Sequence, residues 1–381
     1  MLHKLTHTLK SMTETKYLRY CIIIQSILLL IAIFYNFAGE ESVYTYQAIQ
    51  ILYHNSLLDA SYTRPPLFAW LIIAVSKVIG VHNILPAARI VCLASFFTMS
   101  AFVYKLVKKI SGNPTLALYA VASFYTVQMV VKYAWLSYAD PLFGMLTFAA
   151  CALLWFYIDS GKAYQLIFSF IALFLACLTK SFTCLVVFAV TWWVLFFLYP
   201  GNRSRLYNLR AFIIYCLFIV GLAYFFYANI AYFHRMFADI VSLERVSSTA
   251  AYLKNVFLVA PFSYFIYATA PALPVAFYLL LRRKVKLREI LVNKLALGCA
   301  FIFIINALPY WFSHHIVERR YLYPLYPFAA VFAAIIIFMQ SDRFRQLYCR
   351  FLLGLAVVLF CTASWLPFLF HSFNYMQFAR N

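Results

Sequence analysis

The feature that most limits what this chain can become is a recurrence of apolar runs of about 17–25 residues, the length one bilayer crossing needs. Short clusters of Lys and Arg separate them. The runs read as membrane helices, and composition agrees. The chain is 66% hydrophobic and 11% charged, where a soluble domain averages about 45–50% apolar and 25% charged residues. No Gly/Ser linker, low-complexity tract or fixed-period repeat divides it. Residues 1–381 are therefore expected to form one all-α polytopic membrane domain, without a separate soluble C-terminal domain.

The net charge of +20 would suggest nucleic acid as partner in a soluble protein. In a membrane chain it follows from the excess of Lys and Arg in cytoplasmic loops. Its natural partners are membrane lipids with anionic headgroups, and nucleic-acid binding is excluded. The nine cysteines lie scattered through apolar segments without CxxC spacing, so neither a disulfide framework nor a zinc site is indicated. Lys4, Lys10, Lys16 and Arg19 precede a long apolar run with no clean small-residue cleavage site. That reads as a retained first helix rather than a removed signal.

Charge also orders the helices. Helix one, Tyr17 to Phe37, leaves its basic flank inside and delivers Gly39–Arg64 outside. Within that loop Tyr44, Ala48, Ile51 and Leu52 follow helical spacing, with Gln47, Gln50 and Asn55 on other faces; this predicts an amphipathic interfacial helix. If Pro66–Val81 crossed the membrane, Lys105, Lys108 and Lys109 would land outside. The segment is therefore read as interfacial or re-entrant. The remaining spans are expected at Ile84–Tyr104, Pro114–Val131, Pro141–Ile158, Tyr164–Leu178, Phe182–Tyr199, Ala211–Phe233, Pro261–Leu281, Leu291–Phe312, Tyr321–Met339 and Phe351–Phe370. That makes about 11 transmembrane helices. It also gathers most acids, with His234, His314 and His315, on the external side.

Ionisable groups near membrane depth are costly and default to function. Glu40-Glu41 stands just past helix one in a chain with 11 acids. Acids at a helix start satisfy its dipole. Alternatively, one carboxylate is a general base for an acceptor hydroxyl, and its neighbour orients it or holds a metal. Arg64, before Pro65-Pro66, either snorkels to headgroups or offers a fork of donors to a phosphate. Asp140, before Pro141, caps a helix yet shares the external side with Glu40. Lys180 sits between two barely spanning helices, where a lysine must reach the interface or pair with an anion. His314-His315 through Arg319-Arg320 places several donors in seven residues, with Tyr321 following. That suits an anionic ligand or an interfacial aromatic belt. No Gly-rich phosphate loop, HExxH or GxSxG motif is present. An enzyme without a nucleotide site would draw its donor from the bilayer.

The order of these motifs resembles the GT-C glycosyltransferases of the protein-mannosyltransferase type, including the bacterial aminoarabinose transferases. The resemblance rests on Glu40-Glu41, Arg64-Pro65-Pro66-Leu67, Ala87-Ala88-Arg89, Asp140-Pro141-Leu142, Leu178-Thr179-Lys180 and Arg320-Tyr321-Leu322-Tyr323-Pro324-Leu325-Tyr326-Pro327. It implies a polyprenyl-phosphate-linked sugar as donor, a hydroxyl acceptor and inversion at the anomeric carbon. It makes Glu40 the base, Glu41 its support and Asp140 a further catalytic carboxylate. It assigns Arg64, Lys180, His315, Arg319, Arg320 and Tyr321 to the donor phosphate. No cofactor is assigned, and dependence on a divalent metal stays open. The implied location is a bacterial inner membrane, with the site on the periplasmic face. Two positions depart from the pattern: Glu40 stands where the family has Asp, and Thr63 where the aminoarabinose enzymes tend to have Glu. The competing class is a transporter or flippase of lipid-linked sugars. Such proteins show inverted repeats and midplane charges, and neither is evident.

Overall fold

The computed structural model describes residues 13–34, 41–54, 65–230, 249–254, 256–257, 261, 266–282, 284–312 and 319–369. Among these residues the regular structure is entirely helical. In chain order the helices that build the site and its support are α1 (Glu14–Ile31), α2 (Glu41–His54), α3 (Leu67–Ile79), α4 (Ile84–Ser111), α5 (Pro114–Tyr125), α6 (Gln128–Ala134), α7 (Asp140–Ser160), α8 (Ala163–Cys177), α9 (Thr183–Leu198), α10 (Leu209–Ala228), α11 (Ala272–Leu281), α12 (Lys294–Trp311), α13 (Tyr326–Phe338) and α14 (Asp342–Leu369). A 3₁₀ segment, Arg319–Leu325, leads into α13.

Local chemistry sets several of these boundaries. Gly112 ends α4 at φ 70°, and its N–H donates to the carbonyl of Lys108 at 2.9 Å. Lys108 and Lys109 lie in that last turn, where cations meet the negative dipole end. Asn113 then caps α5, its side chain accepting from the N–H groups of Thr115 and Leu116 at 2.9 and 3.1 Å. Pro114 stands first in the helix, where its missing N–H costs nothing.

The sequence predicts about 11 crossings. Seven described helices are long and apolar enough to cross a membrane, or nine if each bent pair is one span. The difference has two causes. The expected span Pro114–Val131 breaks into α5 and α6, bent by 70°. Thr126 marks the break, its hydroxyl donating to the carbonyls of Ala122 and Ser123 at 3.2 and 2.9 Å. Likewise α9 and the chain after it, Pro200–Tyr207, meet at 106°. The second cause is length: α8 and α11 have 15 and 10 residues, and α3, which is outside the expected 11, has 13. At 1.5 Å per residue none reaches about 30 Å of hydrocarbon. For α3 this agrees with a segment read as interfacial or re-entrant. The helix expected in the first loop is α2, with Tyr44, Ala48 and Ile51 buried. Gln47 is buried too, although its spacing assigned it to another face.

Two helices form the centre. The apolar windows of α7 and of the span containing α13 are 89% and 83% buried, against 6% for α10 at the periphery. Small side chains let the central helices approach: Ala149, Ala150 and Ala152 on α7, and Ala329, Ala330, Ala333 and Ala334 on α13. The Ser169 hydroxyl on α8 donates to the Ala150 carbonyl at 2.7 Å. Gly144 on α7 is tightest, because a Cβ there would stand 2.5 Å from Cδ1 of Tyr323. Gly144→Ala is therefore expected to cost about 1–3 kcal/mol by overpacking. A lower melting temperature of the purified protein checks this; an unchanged one would refute the contact.

The ion pairs separate into two groups. Glu14 pairs with Arg345 at 3.3 Å, and Lys109 with Asp159 at 3.3 Å. Arg205 donates to the carbonyls of Ile158 and Asp159 at 2.5 and 2.6 Å. All belong to the side the charge pattern assigns to the cytoplasm. Among the described residues no salt bridge joins these groups to Glu41, Asp140 or Lys180.

Candidate active site

Glu41 opens α2 and is completely buried, as is Arg89 on α4. The guanidinium grips the carboxylate with both arms: Nε donates to Oε1 at 2.9 Å and Nη2 to Oε2 at 2.7 Å. The Ser137 backbone N–H adds a donor to Oε1 at 2.8 Å, and Arg89 Nη1 donates to the Ile33 carbonyl at 3.1 Å. The guanidinium also lies over the Trp135 ring, 5.0 Å from its centroid. One ion pair thus fastens the end of α1, the start of α2, α4 and the loop before α7. A planar fork matched to a carboxylate is what Arg supplies and Lys does not.

Asp140 begins α7, where a carboxylate meets the positive end of the dipole. It is 1% exposed. Its Oδ1 accepts a hydrogen bond from Lys180 Nζ. Lys180 sits in the turn between α8 and α9, its ammonium 4.3 Å from the centroid of Tyr321. Two further cations lie over rings nearby: Arg320 over Tyr138 at 4.9 Å, and Arg319 over Tyr267 at 4.4 Å. The Tyr326 hydroxyl donates to the Arg319 carbonyl at 2.7 Å, bracing the turn that presents these arginines. A cation held against a ring face is attracted by the ring's quadrupole, which keeps its charge in place.

Among the expected site residues, Glu41, Asp140, Lys180, Arg320 and Tyr321 are brought together by this chain of contacts, with Arg319 beside Arg320 on the same 3₁₀ turn. Glu40, Arg64 and His315 lie outside the described residues. Among the described residues no group of three or more His, Cys, Asp and Glu side chains gathers as a metal cluster would.

The site also includes residues that sequence reasoning left out. Arg89 was read only as part of a motif, yet it is the partner of Glu41. An arginine inside an otherwise apolar helix was the available signal. Trp135 and Tyr138, the rings under Arg89 and Arg320, carried no such signal among 30 tyrosines and seven tryptophans.

The cluster thus joins α2, α4, the start of α7, the turn between α8 and α9, and the 3₁₀ segment before α13. Residues 63–227 match the family model described as dolichyl-phosphate-mannose-protein mannosyltransferase. That stretch contains Arg89, Asp140 and Lys180. The fold is also that of ArnT from Cupriavidus metallidurans. The structure bound to undecaprenyl phosphate superposes with a TM-score of 0.61 and 13% identity, over 91% of this chain and 63% of that one. The apo structure gives 0.64 and 14%, over 91% and 64%. The chain thus spans less than two thirds of the length of ArnT. No curated protein matches the sequence.

Proposed function

We propose that this protein is an integral membrane glycosyltransferase of the bacterial inner membrane. It moves a sugar from a polyprenyl-phosphate carrier to a hydroxyl acceptor at the periplasmic face. The observation that carries the reading is the pairing of Asp140 with Lys180 over Tyr321, beside the buried Glu41–Arg89 pair, at one end of a GT-C bundle. The ArnT structure with undecaprenyl phosphate supports a polyprenyl-phosphate donor, and the mannosyltransferase match supports glycosyl transfer.

In the proposed reaction the acceptor oxygen attacks the anomeric carbon as its bond to the carrier phosphate breaks, inverting that carbon. A carboxylate takes the acceptor proton. Both oxygens of Glu41 are occupied by Arg89, so it serves as support and the base is Glu40. Negative charge grows on the departing phosphate. Lys180, Arg319 and Arg320 stabilise it, with Tyr321 against Lys180; Arg64 and His315 are assigned to the same phosphate from the sequence alone. Fixed cations aimed at developing charge are worth most in a site shielded from water.

The test supplies the purified protein with a panel of polyprenyl-phosphate sugars and measures loss of sugar from the carrier. Wild type is expected to turn over at least one donor, and Lys180→Met to lower kcat by about 10²–10³-fold. A flippase would move the carrier between leaflets with its sugar intact. Translocation without cleavage would overturn the enzymatic reading.

A further inference from the structure

Beside the Lys180–Asp140 pair, two buried polar atoms have no hydrogen-bond partner. One is Oδ2 of Asp140 and the other is the hydroxyl of Tyr323. Their residues are 1% and 0% exposed. Protein interiors seldom leave such groups unpaired, and an ordered water or a small local movement is the usual resolution. The two are chemically complementary: a phenol donates, and an ionised carboxylate oxygen accepts.

Packing brings them to one place. The Tyr323 ring lies against Gly144, one helical turn along α7 from Asp140 and on the same side of the helix. The charged or titratable groups acting on the Tyr323 hydroxyl are Asp140, Cys92 and Tyr326. The Cys92 thiol donates to the Tyr138 carbonyl at 3.3 Å, and Tyr326 donates to the Arg319 carbonyl at 2.7 Å. Both protons are therefore spent elsewhere. Of Cys92, Tyr326 and Tyr323, it is Tyr323 that keeps an unspent proton for the second oxygen of Asp140.

We propose that Tyr323 is a positioning residue of the phosphate site: its hydroxyl donates to Oδ2 of Asp140, directly or through one bound water, so that Lys180 is shared with the donor phosphate. A buried carboxylate whose charge is met by one ammonium holds that ammonium hard. A second donor takes up part of the charge, and an anionic phosphate oxygen can then compete for Lys180. The inference rests on the polyprenyl-phosphate reading above. It concerns Tyr323, between Leu322 and Pro324 in the Arg320–Pro327 stretch.

The experiment measures affinity of the full chain for a sugar-free polyprenyl monophosphate. Wild type, Tyr323→Phe, Asp140→Asn and the double variant are compared, with melting temperatures recorded in parallel. Tyr323→Phe should weaken binding by about 5–10-fold, the scale of one lost hydrogen bond. Asp140→Asn should bind at least as tightly as wild type, because Lys180 is released. In that background Tyr323→Phe should change affinity by less than about twofold. A packing role alone would weaken both backgrounds equally. That result, or wild-type affinity in Tyr323→Phe, overturns the inference and leaves the donor reading standing. Weaker binding by Asp140→Asn overturns it even if Tyr323→Phe does not fold. A wild-type protein that ignores the carrier overturns the donor reading itself, and this inference with it.

Discussion

Arg89→Met is expected to destabilise the protein by about 3–5 kcal/mol, the usual cost of leaving one partner of a buried ion pair unmatched. The substitution keeps much of the side-chain volume but strands the Glu41 carboxylate at zero exposure. The Ser137 N–H remains as one donor, far too little to replace a bidentate guanidinium. Ile33 loses a donor as well. The loss therefore reaches α1, α2, α4 and the loop before α7 together. Thermal unfolding of the purified protein in detergent checks this. Adding Glu41→Leu should recover much of the loss, since an apolar pair often equals or exceeds a buried ionic one. Arg89→Met with a wild-type melting temperature would show that the pair is not formed in the membrane.

The second large effect concerns the neighbouring acid. Glu40→Gln should reduce turnover by about 10²–10⁴-fold, the contribution of a positioned general base, while affinity for the carrier stays unchanged. The reasoning is by occupancy. Glu41 has both oxygens committed to Arg89, so a proton arriving there would have to displace a guanidinium. Under the proposed mechanism the adjacent residues divide between a structural carboxylate, Glu41, and a chemical one, Glu40. Single-turnover measurements with saturating donor check the assignment. Equal turnover in wild type and Glu40→Gln would remove Glu40 as base.

Much of the site was legible because its residues contradict their surroundings. Lys180 between two apolar helices, Asp140 at a helix start and the Arg319–Tyr321 turn all stand out in a chain with 11% charge. The charge pattern assigned them to one side, and Lys180 contacts both Asp140 and Tyr321. What hydropathy could not supply was pairing. Glu41 and Arg89 lie 48 residues apart, and nothing in either local window names the other. Tyr323 was invisible for the same reason, since its meaning depends on Gly144 in a different helix. The count of 11 crossings is not confirmed among the described residues, for a geometric reason. The 70° bend between α5 and α6 falls at Thr126-Val127, with no Pro or Gly to announce it. Residues 114–131 consequently read as one continuous apolar run.

The clasp between α1 and α14 bears on the order of assembly. Arg345 reaches the Glu14 carboxylate from 331 residues away in the chain, and Glu14 also accepts from the Tyr119 hydroxyl at 3.0 Å. During synthesis α1 enters the bilayer long before α14 exists. Until then Glu14 has Tyr119 but not its cation. Docking of α14 is therefore a late event that completes the contact between α1 and α14. A chain halted before Arg345 would lack this contact between its first and last described helices.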